Sequence, residues 1–508
     1  MREESLSLEV RDFGPIHRAE VELRPLTVFV GPSNTGKSYL AMLIYALHRH
    51  FNSFNSNGWW LAEQSIRRIS RHSVNQLAKD ARKTRDDWAK EDKRRRPTGG
   101  SIDVLQSHTW MLSEAFKTLV SDMINAQGPM LRMEIERCFG SKIEELNRRA
   151  KESNLTVQIC RQFEPINEEN SKAIKLTYSN AELFSSLPDE FRIKIKGGKK
   201  IFSDLELELD RYNSINGRDP EFMKTFEFPV MQRWLQEIVA PGIFNELVLP
   251  GHYLPAGRAE LLDSYDYFVG SLIQKASSFS EASPGITGVK ADFLRELLGL
   301  ARLESQERFS KSSMIEEKIL QGSISVNAGE NIKCPRFSYK PSDWAGHELP
   351  LKNASSMVSE VAPISLYEKH ILKRGDLLIV DEPESHLHPA LQVRLFRQLA
   401  RLVTEERRVL VTTHSEWVTE ELANIVRRSK LEEKLPRVAE PKPGTDDIAL
   451  AEADVGVWQF GAVSNSVSSN VREIRMGETG LYDVGFDDVA TSSHNEWARI
   501  STALGDSQ

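Results

Sequence analysis

Eight consecutive residues, Gly31-Pro32-Ser33-Asn34-Thr35-Gly36-Lys37-Ser38, follow the pattern GxxxxGK[ST]. Glycines let such a backbone curl until successive amides point at phosphate oxygens, and a helix beginning at the lysine adds its dipole. The amine then reaches the β and γ phosphates, and the serine hydroxyl can ligate Mg²⁺. Context gives the pattern its weight: Leu26 to Val30 reads as a buried strand, and Ser38 to Phe51, SYLAMLIYALHRHF, is apolar nearly all round, as a helix packed against a sheet must be. Tyr39, next to the serine, completes the nucleotide-binding stretch.

A second run, Asp376-Leu-Leu-Ile-Val-Asp381-Glu382-Pro383, is a strand that ends in two carboxylates. Ligand sites of open α/β sheets gather at the carboxyl ends of strands. There Asp381 can hold hydrated Mg²⁺, while Glu382 projects toward the γ-phosphate and can polarise the attacking water. A third run, Val409-Leu-Val-Thr-Thr-His414-Ser415, ends a strand on an imidazole that can hydrogen-bond the γ-phosphate. His414 follows Asp381 by 33 residues, room for one helix between two neighbouring strands. His386 and His388, at i and i+2, would share one face of a strand and suggest a metal, but no further ligand lies nearby in sequence.

The elements that must position these residues form a strand-helix-strand rhythm: Leu377 to Glu382, a helix from Pro389 to Leu402, then Val409 to Thr412, the signature of a parallel α/β sheet. Five segments are expected. Residues 1–51 are the first part of the head; 52–247 an insertion, helical and then mixed; 248–350 a mixed α/β lobe; 351–437 the second part of the head; and 438–508 a linker and small tail of strands with a final helix. Within the insertion, strands are expected near Leu155 to Ile159 and Ala173 to Thr177. No internal repeat is present.

The 508 residues carry 66 Lys plus Arg against 73 Asp plus Glu, a formal charge of −7 that excludes a generally basic nucleic-acid binder. Local charge differs: Ser65 to Pro97 holds twelve basic and five acidic residues, a balance of +7. The stretch Arg67 to Arg96 is either a salt-sensitive patch for nucleic acid or an acidic partner, or a solvated helix face. Three cysteines, Cys138, Cys160 and Cys334, lie too far apart for a zinc ribbon and point to a reducing, cytoplasmic setting. Neither a signal peptide nor a membrane-spanning run is expected.

The opening VRDFGPIHRAEVELRPLTVFVGPSNTGKS, the run LLIVDEPESHLHP, VLVTTHS and NASSMVSEVAPISLYEKHIL together resemble the ABC-type ATPase head of the SMC, RecF and OLD-like clan, which includes stand-alone AAA family ATPases. The resemblance implies an α/β P-loop NTPase head with a large, mainly helical insertion, and ATP and Mg²⁺ as cofactors. In its terms the first motif is Walker A, DEPESHLHP holds Walker B, and His414 is the histidine switch. It implies that Ser355, with Ser356 beside it, opens a helix reaching the nucleotide of a second subunit, although Ala354-Ser355-Ser356-Met357-Val358 replaces the usual LSGGQ glycines. Glu384 to His388 falls on the dimer-facing D-loop, and HYLPAGR makes Arg258 a candidate for a site or interface role.

It further implies a homodimer or higher even oligomer that hydrolyses ATP and drives or gates a separate effector of nuclease or toxin type, as in bacterial anti-phage defence. The alternatives are a DNA-associated repair or clamp ATPase and a nucleotide-gated scaffold. OLD-type nucleases add a Toprim domain, which needs a glutamate and a DxD pair; no DxD follows His414, so nuclease activity in this chain is not expected.

Overall fold

The computed structural model describes residues 5–52, 107–111, 114–147, 156–162, 173–179, 182–187, 192–196, 244–264, 286–300, 313–328, 335–343, 346–434, 448–462 and 469–475, with scattered helical residues within 79–90 and 495–499. Most of the basic stretch from Arg67 to Arg96, the linker at 440–447 and the Ser-rich stretch near 275–283 lie outside them.

β1 (Ser5–Phe13) and β2 (Ile16–Leu23) form an antiparallel hairpin, and β3 (Leu26–Val30) leads through the glycine-rich loop into α1 (Lys37–Asn52). The next described elements are β4 (Ser107–Met111), α2 (Glu114–Asn125), α3 (Gly128–Phe139), β5 (Thr156–Gln162), β6 (Ala173–Ser179), β7 (Glu182–Ser186) and β8 (Arg192–Lys196). Then follow β9 (Gly251–Leu254), α4 (Arg258–Asp263), α5 (Gly288–Leu300), β10 (Gly322–Ala328), β11 (Pro335–Pro341), β12 (Leu349–Pro350) and α6 (Ser356–Leu366). β13 (Leu377–Asp381), α7 (Pro389–Thr404), β14 (Arg408–Thr413), α8 (Glu416–Lys434), β15 (Val455–Ala462) and β16 (Ser469–Glu473) complete the order.

One sheet of 11 strands, in the order β7-β6-β5-β1-β2-β16-β15-β3-β14-β13-β9, organises the molecule. From β15 to β9 neighbouring strands are all parallel, and from β2 to β7 all antiparallel. The parallel half has helices on both faces, so its strands are near-continuous apolar runs. Alternation still sorts their side chains. Phe29, Leu377, Ile379, Leu410 and Phe460 face the core that holds α1. Val28, Val30, Leu378, Val380, Val409, Val411 and Val457 face the core built from α5, α6, α7 and α8. Each large apolar side chain taken fully out of water contributes about 1.5–3 kcal/mol, and α1 buries Leu40, Leu43, Ile44, Leu47 and Phe51.

The sheet cuts across three of the expected segments. Residues 52–247 supply helices α2 and α3 but also β5, β6 and β7, which pair on through β1. Residues 248–350 supply β9, the edge strand beside β13. The expected small tail supplies β15, which pairs parallel with β3, and β16, which links it to β2. The reason is burial: Val455 to Phe460 is covered on both faces, which a separate tail of this size could not achieve. Within 248–350, Glu316–Leu320 is a short π-helical turn.

Candidate nucleotide site

The glycine-rich loop joins the carboxyl end of β3 to α1, and its shape depends on residues with positive φ: Gly31 at 144°, Asn34 at 62° and Gly36 at 98°. A Cβ on Gly31 would lie 2.3 Å from the Phe460 carbonyl oxygen, and one on Gly36 2.7 Å from Ile16 Cγ1, so both positions require glycine on space as well as on dihedral. Pro32, Ser33 and Asn34 form the exposed tip, while Thr35, Gly36 and Lys37 are buried. Thr35 Oγ1 donates to the Pro32 carbonyl at 2.8 Å.

Lys37 Nζ donates to the carbonyls of Gly31 at 2.8 Å and Pro32 at 2.7 Å, which folds the amine back into the loop. Burial pulls its pKa below the ordinary lysine value, opposed by the carboxylates of Glu382, Asp381 and Glu384. Tyr39 is partly exposed on α1, packed against the rings of Phe13 and Phe139 at centroid distances of 6.2 and 5.4 Å.

Ser38 and Asp381, 343 residues apart, meet directly: Ser38 Oγ donates to Asp381 Oδ1 at 2.8 Å. The Thr412 hydroxyl donates to the same oxygen, and Tyr253 OH donates to Oδ2 at 3.1 Å. Glu382 follows with φ at 47°, a left-handed conformation that costs a non-glycine residue on the order of 1 kcal/mol or more. Its amide donates to the Thr412 carbonyl and hydroxyl, both at 3.1 Å. Burial raises the Glu382 carboxyl above its ordinary pKa, and Asp381 adds to the rise, while His414 and Lys37 oppose it.

His414 Nδ1 stands 3.7 Å from Glu382 Oε1 and 3.6 Å from Glu384 Oε1. Glu384 is buried, and its Oε1 accepts from Thr413 Oγ1 at 2.6 Å and from the His414 amide at 2.8 Å. The loop lysine, the serine-aspartate pair, Glu382 and His414 therefore converge at the carboxyl ends of three adjacent parallel strands, β3, β14 and β13.

Residues 273–419 match the family model of the AAA ATPase domain. The matched span includes Ser355, Asp381, Glu382 and His414 and begins after the glycine-rich loop. Solved structures similar to the whole chain include the SMC head domain from Thermotoga maritima, 11% identical over 94% of this chain and 100% of that one, with a TM-score of 0.31. An Smc head with an extended coiled coil bound to the C-terminal domain of ScpA, from Pyrococcus furiosus, is 9% identical over 93% and 96%, with a TM-score of 0.32. An SmcHead bound to the C-winged helix domain of ScpA is 11% identical over 94% and 98%, with a TM-score of 0.34. No curated protein matches the chain.

The donor set of this site suits Mg²⁺. A serine hydroxyl and an aspartate oxygen at 2.8 Å are hard oxygen donors, and Glu384 Oε2 is a buried oxygen with no hydrogen-bond partner. Mg²⁺ takes one or two protein ligands and fills its octahedron with water and phosphate oxygens. His386 and His388 form no metal pair: His386 has φ at 61°, and His388 Nδ1 accepts from the Ala390 amide at 3.3 Å as N-cap of α7.

Ser355 and Ser356 stand apart from this cluster. Both are exposed at the start of α6, where the Ser355 hydroxyl accepts from the Val358 amide at 3.4 Å as its N-cap.

The sequence does not show the bonds that four residues make around the site. Tyr253 and Thr412 bond Asp381; Glu384 bonds the His414 amide; and the hydroxyl of Ser469, on β16, lies within hydrogen-bond reach of the Thr35 carbonyl and, at 3.2 Å, the Pro15 carbonyl. Tyr253 carried one usable signal, its place within HYLPAGR, just before the chain turns at Pro255. No helix among the described residues is long and apolar enough to cross a membrane.

Proposed function

We propose that the chain binds ATP with Mg²⁺ and hydrolyses it at this site, acting in the cytoplasm as a head-to-head homodimer that gates a separate effector protein. The observation that supports this most is the meeting of Ser38, Asp381, Lys37 and Glu382 at adjacent strand ends. Lys37 releases the Gly31 and Pro32 carbonyls to bind β and γ phosphate oxygens, and the loop amides take the rest of the charge. Ser38 and Asp381 would hold Mg²⁺, which when bound would supply neutralisation of charge on the transferring phosphoryl group.

Glu382 accepts the proton of the attacking water. Its raised pKa makes it a stronger base than an exposed glutamate. His414, held through its amide by Glu384, orients Glu382 and the γ-phosphate.

The dimer reading is supported by Ser355 and Ser356. They are exposed at a helix N-terminus, a position that suits the γ-phosphate held by a second copy. Resemblance to stand-alone relatives supports an effector of nuclease or toxin type in antiviral defence.

The test is the ATPase rate of the wild-type chain and of Glu382→Gln over a range of protein concentrations with Mg²⁺. A specific rate that climbs with concentration and is lost in the variant is the expected result. ATP binding without turnover in either protein would overturn hydrolysis and leave a nucleotide-gated scaffold.

A further inference from the structure

Arg258 is the largest fully buried side chain of the described residues, and its guanidinium is spent almost wholly on backbone carbonyls. Nη1 donates to Asp381 at 2.8 Å and Pro255 at 3.2 Å, Nη2 to Glu382 at 3.3 Å, and Nε to Glu360 at 3.2 Å. Nη2 also lies 3.2 Å from Glu360 Oε2, and Glu360, itself buried, accepts the Ala259 amide on Oε1 at 3.4 Å. Taking two charges into the interior is costly, and nothing about packing demands an ion pair here.

What the arrangement controls is one residue. The Asp381 carbonyl belongs to the peptide plane before Glu382 and the Glu382 carbonyl to the plane after it. Arg258 holds both, and Thr412 holds the amide of the first. With both planes pinned, φ and ψ of Glu382 are fixed, which is how a glutamate stays at φ 47°. The second end of the tie is α6: Glu360 lies five residues after Ser355, a rise of about 7.5 Å along the helix.

We propose that Arg258 is a positioning residue for hydrolysis: it fixes the Asp381-Glu382 turn and couples it, through Glu360, to the helix that begins at Ser355. This rests on the ATPase reading above. Occupation of the Ser355 end by a second copy's nucleotide would then be felt at the catalytic carboxylate of the chain that supplies the helix. Only a planar fork can reach four carbonyls and a carboxylate together, so lysine cannot replace it.

The test uses the full chain with Arg258→Lys, Glu360→Gln and both together. The expected result is a Kd for a fluorescent ATP analogue within threefold of wild type, kcat reduced at least tenfold by Arg258→Lys and severalfold by Glu360→Gln, and no further loss in the double variant. A folded single variant that keeps kcat within twofold, or that loses ATP affinity by the same factor as kcat, would overturn the proposal. If Arg258→Lys fails to fold, the nearly isosteric Glu360→Gln carries the same comparison. If the wild-type chain does not turn over ATP, the ATPase reading fails by itself. The tie is then read by hydrogen exchange at 381–385, expected to speed up at least tenfold in Glu360→Gln; no change there would sink the tie as well.

Discussion

The Tyr253 hydroxyl donates to Asp381 Oδ2 at 3.1 Å, so the carboxylate beside Ser38 is held on its second oxygen by a buried phenol from the neighbouring strand. A hydrogen bond to a charged group is worth about 1.5–3 kcal/mol, and partners of metal ligands shift metal affinity roughly 10- to 100-fold. Tyr253→Phe keeps the ring and its packing against Tyr45, at 5.7 Å between centroids, while removing the donor. A Mg²⁺ titration of the ATPase activity should show a requirement raised roughly tenfold, with a modestly lowered thermal midpoint from the lost buried hydrogen bond. An unaltered titration would show that Oδ2 takes no part in binding the ion.

Lys37 tests binding separately. The buried ammonium has only two carbonyls as hydrogen-bond partners, so Lys37→Met removes a costly charge without leaving a carboxylate unpaired. ATP affinity should fall roughly 10- to 100-fold, the value of about 1.5–3 kcal/mol for a charge-assisted bond, while thermal stability holds or rises. Calorimetry of ATP binding beside a melting curve measures both.

Glu382 is expected to separate chemistry from binding. Glu382→Gln should retain ATP and lower kcat by about 10² or more, the usual contribution of a positioned base. The raised pKa has a sign that can be checked. The base works only when ionised, so kcat should fall on acidification at a higher pH than an ordinary glutamate would give. The same shift means that the ionised carboxylate destabilises the fold at neutral pH, so the amide variant should melt at the same or a higher temperature. A pH-rate profile with no acid limb would exclude Glu382 as the base.

The site was legible in the sequence where it is contiguous and opaque where it is assembled. Gly31 to Ser38 and Leu377 to Glu382 announce themselves because a loop of fixed dihedrals and a strand ending in carboxylates are local patterns. Thr412 looks like any strand threonine until β13 lies beside β14 and brings its hydroxyl to Asp381. Ser469 stands at the far end of the chain, and its bond to the glycine-rich loop exists only because β16 enters the sheet. β15 and β16 read as a tail because a polar stretch precedes them, yet pairing with β3 is a long-range event that no local composition signals. His386 and His388 share a spacing that implies one face only on a strand, whereas His386 lies in a turn and His388 caps α7, in keeping with setting a metal pair aside.

Because Phe460 on β15 closes against Gly31, the loop and the C-terminal strand should fail together. Gly31→Ala drives a methyl to within 2.3 Å of a backbone oxygen that the sheet holds in place. Strain of that kind with overpacking amounts to about 2–6 kcal/mol. A chain ending before Val455 should be insoluble, since Leu26 to Val30 would become a sheet edge with its apolar faces still covered by helices. Soluble, cooperative melting of the truncated chain would contradict the placement of β15.

Global stability should form a dome in pH with identifiable sides. His252 lies between Glu296, with Nδ1 3.1 Å from Oε2, and Asp376, with Nε2 3.4 Å from Oδ2. Burial alone would lower its pKa, but the two carboxylates prevail and raise it to about 9. A histidine raised in the folded state stabilises fully below its unfolded value near 6.5 and loses that contribution as pH climbs through the folded one. The alkaline loss, between about pH 6.5 and 9, is on the order of 3 kcal/mol. On the acid side, burial lowers His48 and holds His50 near about 3, so both stay neutral and the unfolded chain takes up protons first as pH falls below 6.5. His252→Gln should therefore flatten only the alkaline side in melting curves taken from pH 5 to 9.5. A variant that flattened the acid side instead would show that the carboxylates around His252 are not what holds its charge.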